Sequence, residues 1–177
     1  MKNALRKLYA LYHPEQYHGW GKKKQFFEGW YYKIVNSAED RAFAFIPGIA
    51  MDGDGRKHAF IQIMDGKKNT STYSKFDASD FKPNPDEFNL KIKENNFTQN
   101  HISLNLENCQ ADLNFINQVP WPVSWNSPGI MGPYAFAPFM ECYHGILSMD
   151  HSIEGWLKID GEKIDFSGGR GYMEKDW

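Results

Sequence analysis

Cysteine is scarce. The 177-residue chain holds two, Cys109 and Cys142, and no CxxC spacing. That usage excludes a disulfide scaffold and fits a reducing compartment, so the expected location is cytoplasmic. Charge imbalance is missing as well. A net charge of −2 and a pI near 6.3 give no electrostatic basis for binding nucleic acid. The lysines at 22–24 and 67–68 sit beside turn-like residues and read as solvated turns. No apolar run is long enough to cross a bilayer, so no stable membrane insertion is expected. The opening MKNALRKLYALYH lacks the apolar core and cleavage site of a secretory signal. No serine stands in a nucleophile-elbow context, which leaves no Ser-His-Asp triad to argue. The glycines at 168–171 precede neither a helix nor the Lys-Ser/Thr of a phosphate loop. DGDG at 52–55 begins like a calcium loop, but Arg56 occupies the fifth position, where an acid or amide is needed, and a hairpin explains it better. No metal site is expected.

Aromatic residues are abundant, at 16% of the chain. A core of this size needs fewer. The excess lines a large apolar cavity, or it faces a partner or a missing second half.

Residues 3–12 carry Leu5, Leu8, Tyr9 and Tyr12 at helical spacing and predict a short amphipathic helix. From there the period is two. Strands are expected at 27–35, 41–49, 58–65, 71–76, 88–93, 101–106, 109–116, 144–148, 151–159 and 162–172. Gly/Asp/Asn turns separate them, with the hairpins at 52–55 and 160–161 the clearest. The pattern predicts one all-β domain over 1–177, an antiparallel barrel or sandwich. Residues 117–143 break it with five of the nine prolines and six aromatics. Prolines keep this segment out of a central strand, and its aromatics are expected to stay out of free solvent. It reads as a lid or rim over a cavity, or as a packed loop plugging a barrel end.

Three acidic clusters carry candidate chemistry. In FFEGWYYK, alternation puts Glu28, Trp30 and Tyr32 on one strand face. Apolar burial raises a carboxyl pKa and would suit Glu28 to act as a general acid; an ion pair with Arg170 or Lys175 would do the reverse. FMECYHG brings Glu141, Cys142 and His144 together, with Asp150 and His151 further on. The spacing fits no standard zinc site, and acid–base chemistry by Glu141 or His144 beneath the aromatic loop is the better reading. In GYMEKDW, Tyr172, Glu174 and Asp176 alternate with Met173, Lys175 and Trp177. Glu174 and Asp176 share a face and would share a proton if buried, while an exposed pair is ordinary. His58 and His101 are isolated and read as structural or exposed.

YHGWGKKKQFFEGWYYK and GYMEKDW together resemble the two signature blocks of the tocopherol cyclase family and its bacterial relatives. The matching residues are Tyr17 and His18, Phe26 to Tyr31, Glu141, and Glu174, Lys175 and Trp177. The resemblance runs from about residue 13 to the end of the chain. Asp176 stands where the plant block has Asn, and the family continues past this block into a second β-rich half. The resemblance implies an antiparallel lipocalin-like β-barrel, the N-terminal half of a two-barrel protein whose partner is its own C-terminal half. It implies acid-catalysed cyclisation of a prenylated hydroquinone to a chromanol, with no cofactor. Glu28, Glu141, Glu174, Asp176 and His144 are then the candidate acids and bases. His18, Trp30, Tyr32, Trp121, Trp125, Tyr143 and Trp177 are the candidate ligand-binding residues. The alternative is a non-catalytic lipocalin-like protein that binds a hydrophobic small molecule.

Overall fold

The structure is a computed structural model and describes residues 9–177. Most of the predicted helix at 3–12 therefore lies outside the described residues; Tyr9, Ala10 and Leu11 are helical. Twelve strands follow: β1 (Phe26–Val35), β2 (Ala42–Met51), β3 (Lys57–Asp65), β4 (Thr70–Asp77), β5 (Phe81–Pro83), β6 (Asn89–Ile92), β7 (Asn95–Thr98), β8 (His101–Leu106), β9 (Cys109–Ile116), β10 (His144–Ile159), β11 (Glu162–Asp165) and β12 (Gly169–Asp176).

They form one antiparallel sheet in the order β4-β3-β2-β1-β12-β10-β9-β8-β7-β6-β5, with β11 also paired to β10. The sheet is rolled. Tyr32 of β1 packs on Phe97 of β7 and Phe115 of β9, and Trp30 reaches Phe81 of β5. The result is an antiparallel, lipocalin-like barrel whose hydrogen-bonded ring stays open between β4 and β5. Inward positions alternate along each strand, as in β9, where Cys109, Ala111, Leu113 and Phe115 are buried and the residues between them are not. Burial pushes the Cys109 thiol up to about 12, which leaves it an inert core residue.

Differences from the predicted strands have local causes. Residues 144–159 are one strand, because bulges between Ile146 and His151 absorb the break in alternation. The run 162–172 divides into β11 and β12 at the turn through Gly168, whose φ is 78°. Strands β5 and β7 are three and four residues long, too short to show a period. The hairpin at 160–161 has φ of 52° at Asp160 and 84° at Gly161, the left-handed pair that a two-residue turn requires. At 52–55 the loop is fastened by Arg56, which pairs with both Asp52 and Asp54.

The barrel interior is filled. Trp30, Tyr32, Ile34, Phe45, Ile61, Phe97, Leu113 and Met173 are all buried. A cavity opens outside this packed core. It lies at one end, where residues 10–28 and the 117–143 loop approach each other.

Candidate functional site

Alternation turns Glu28 inward on β1, and Lys175 inward on β12; both are fully buried. Register pairs Trp30 with Lys175, so the acid and the amine are diagonal neighbours. Lys175 Nζ lies 2.5 Å from Glu28 Oε1. The segment before β1 has no strand partner, and this ion pair supplies its hydrogen bonds. His18 and Gly19 donate their backbone N–H groups to the Glu28 carboxylate at 2.9 and 3.0 Å. Lys175 donates to Pro14 O at 2.9 Å and to Gln16 O. His18 Nδ1 stands 2.6 Å from Lys175 Nζ, while its Nε2 is 3.0 Å from Ala10 O. The ring therefore carries its proton on Nε2 and accepts from the ammonium. Lys175 also sits 4.7 Å from the ring centres of Trp30 and of Trp177. Burial pushes its pKa down to about 8, against the opposing pull of Glu28. Burial and then the Lys175 charge lower that of His18.

This clamp underlies a cavity of about 900 Å³. Leu11 and Pro14, Phe26 and Phe27, and Met131, Phe136 and Met140 of the long loop give it apolar walls. Tyr143 and Trp177 close one side. They exchange both backbone hydrogen bonds, at 2.8 and 3.0 Å, and extend the β10–β12 pairing. Trp177 stacks on His18 at 4.0 Å and beside Tyr143 at 5.8 Å. Polar groups on the lining are few: His18, Lys22, Gln25, Glu141, Cys142 and His144. Apolar walls with a handful of polar groups are what a small-molecule pocket requires.

His144 is the best-organised of these. Its Nδ1 lies 2.7 Å from Asp176 Oδ1, and its Nε2 lies 3.6 Å from Glu174 Oε2. Tyr172 donates to Glu174 at 2.5 Å, and burial followed by Glu174 raises the Tyr172 phenol. Asp176 thus fixes the imidazole by accepting its Nδ1–H, an arrangement that can take up or release a proton at the cavity edge.

Of the twelve residues singled out from the sequence, His18, Glu141, Tyr143, His144 and Trp177 line the cavity. Glu28 lies beneath it as the carboxylate of an ion pair, accepting from Lys175 and from the backbone N–H groups of His18 and Gly19. Trp30 and Tyr32 are not ligand walls but core: Trp30 Nε1 donates to Glu15 O and Tyr32 to Thr98 O, each at 2.9 Å. Glu174 and Asp176 stand behind His144, partly open to solvent. Trp121 and Trp125 do not line the cavity. Nor do the loop aromatics shun solvent. Trp125 is 83% exposed and Phe139 82%, because the loop turns Met131 and Met140 inward and these rings outward. Sequence reasoning missed Phe26, Phe27, Lys22 and Gln25 on the lining. FFEGWYYK marked β1 itself but not that the rim begins at its first turn. Among the described residues no cluster of His, Cys, Asp and Glu could hold a metal ion. His58 pairs with Tyr73 and His101 with Asp112, both away from the site.

No family model matches the chain, and no curated protein matches it. A solved structure does. The crystal structure of CghA with Sch210972 superposes with a TM-score of 0.51 at 12% identity, covering 85% of this chain. The chain shares the fold of CghA. It spans 45% of the length of the CghA chain. A second CghA crystal structure covers the same shares at 12% identity with a TM-score of 0.47. No described helix is long and apolar enough to cross a membrane.

Proposed function

We propose that the cavity at the barrel end takes up an apolar small molecule of isoprenoid character. One observation carries this: about 900 Å³ walled by Phe26, Phe27, Phe136, Met131, Met140 and Trp177, with few polar groups among them. CghA, whose fold this chain shares, has been crystallised with the small molecule Sch210972. Fold alone does not transfer a ligand, so the pocket lining is the argument. The length of the CghA chain and the resemblance to tocopherol cyclases both support a longer protein, whose C-terminal half would complete the pocket.

The finer reading is acid-catalysed cyclisation of a prenylated hydroquinone. The His144–Asp176 pair and Glu141 favour it. A proton passes to the less substituted alkene carbon, and the tertiary cation is captured by the phenol oxygen. The phenol proton then returns to a base, so the reaction is an isomerisation and consumes nothing. Glu141 and His144 are the groups on the cavity wall that can give and recover the proton. Glu28 instead holds the floor. The non-catalytic alternative keeps the pocket and drops the chemistry.

Organic extracts of the purified natural chain, compared by mass spectrometry with a matched control, test the pocket. A co-purifying prenyl quinol or other isoprenoid is the expected result; acyl lipids alone or an empty extract would remove the isoprenoid assignment. Turnover in D₂O tests the chemistry. One deuterium on a new C–H bond, lost together with turnover in His144→Asn and Glu141→Gln, is expected. Ligand uptake without turnover leaves the binding protein.

A further inference from the structure

The rim of the cavity carries a second surface. From Leu113 to Met140 the sequence has no Asp, Glu, Lys, Arg or His, in a chain that is 24% charged. The outward side of this stretch displays Trp125 at 83%, Phe139 at 82% and Tyr134 at 70% exposure, with Val123 at 52%. The loop backbone beneath them is fastened. Tyr12 donates to Trp125 O at 2.7 Å and packs edge-on against Phe136 at 6.4 Å; Ser124 and Ser127 pair across the loop tip. A solvent-facing loop gains nothing from large rings and no charges, and a contiguous exposed apolar patch marks an interaction surface. The same cavity also takes Lys22 in its lining, the first of the exposed run Lys22, Lys23 and Lys24.

We infer that this face docks on an anionic lipid surface. Trp and Tyr, with an apolar body and a polar edge, suit the headgroup boundary, where Phe and Val reach the acyl region. Lysines attract anionic headgroups, and salt screens that attraction. Lys22 and the loop residues Phe136, Pro138 and Met140 border the same apolar cavity. The exposed lysines beside the uncharged loop fit an anionic, not a neutral, surface. Docking sets the cavity mouth against the phase in which an apolar molecule is dissolved, so transfer avoids water. The attachment is peripheral: the loop is the anchor, and no strand or helix crosses.

Vesicle co-sedimentation of the full natural chain tests this. With vesicles of phosphatidylcholine containing about a third phosphatidylglycerol, the protein pellets; with phosphatidylcholine alone, or in high salt, binding weakens several-fold. The double variant Trp125→Ala/Phe139→Ala, which removes no lining residue, loses at least tenfold in partition while its thermal unfolding is unchanged. Protein that stays in the supernatant with anionic vesicles overturns the inference. So does undiminished binding by the double variant. So does a concentration-dependent dimer that the double variant abolishes, which would assign the patch to a second copy. Hydrogen exchange showing residues 121–139 protected within the longer chain would assign it to the C-terminal half. Vesicle binding and ligand extraction are read separately, so failure of one leaves the other standing.

Discussion

Glu28 and Lys175 occupy a setting where neither could survive alone. Each is fully buried, and the carboxylate and ammonium between them satisfy the backbone of residues 14–19. Removing one member leaves the other as an unpaired charge in the core, which costs about 3–5 kcal/mol. Glu28→Gln and Lys175→Met are each expected to lower the urea unfolding midpoint accordingly. The double variant is expected to be less destabilised than the sum of the two. A Glu28→Gln protein of full stability that has lost turnover would instead place Glu28 in the chemistry. His151 makes a different prediction. It is 1% exposed, its Nδ1 is 3.1 Å from Ser148 Oγ, and its Nε2 has no partner. Burial lowers its pKa from 6.5 to about 4. The unfolded chain binds this proton below about pH 6.5 and the folded chain only below about 4. Stability from this residue is therefore intact above 6.5 and falls as pH drops toward 4, by roughly 2–3 kcal/mol in all. Unfolding midpoints at pH 7 and pH 4.5 measure it, and His151→Gln is expected to lose that share of the acid limb.

At the scale of elements, β10 carries the site. It runs sixteen residues, from His144 at the cavity to Ile159 at the far hairpin, pairing with β9, β11 and β12. Where β10 runs beside β9, one position depends on glycine. Gly155 has φ of 119°, and a Cβ there would stand 2.1 Å from Asp112 O. Gly155→Ala meets both strain and backbone collision, and a loss of about 2–4 kcal/mol is expected in chemical denaturation. A loss below about 0.5 kcal/mol would mean that the β9–β10 ladder shifts freely. Most of these elements were legible in the chain. The two-residue periods of β1, β2, β3, β8 and β9 and the Asp160-Gly161 turn follow from local rules. Strands β5 and β7 were not, because three or four residues carry no period and only neighbours define them.

For the molecule as a whole, Trp30, Tyr32, Phe45 and Phe97 pack the barrel interior, and the cavity of the proposed site lies at its end. The cavity draws on residues from Leu11 to Trp177, and occupancy therefore ties the chain's beginning to its end. A ligand at a hundred times its Kd adds about 2.7 kcal/mol of stability. Thermal shift with prenyl quinols is expected to show that rise, and Phe136→Ala to diminish it without lowering the unliganded Tm. An identical shift in the variant would move the binding site elsewhere.

The sequence by itself determined an antiparallel β protein with Glu28, Trp30 and Tyr32 on one strand face, the major hairpins, and a loop of unusual composition at 117–143. Those are consequences of period, turn chemistry and proline, which act over a few neighbouring residues. Tertiary structure alone decided that Glu28 meets Lys175 from the opposite end of the chain, and that Trp30 and Tyr32 fill the core. It likewise decided that Trp125 and Phe139 face outward while Met131 and Met140 face in. Periodicity says which side of a strand a residue takes. Which side becomes core, cavity or surface depends on what the rolled sheet brings against it, and that contact spans the whole chain.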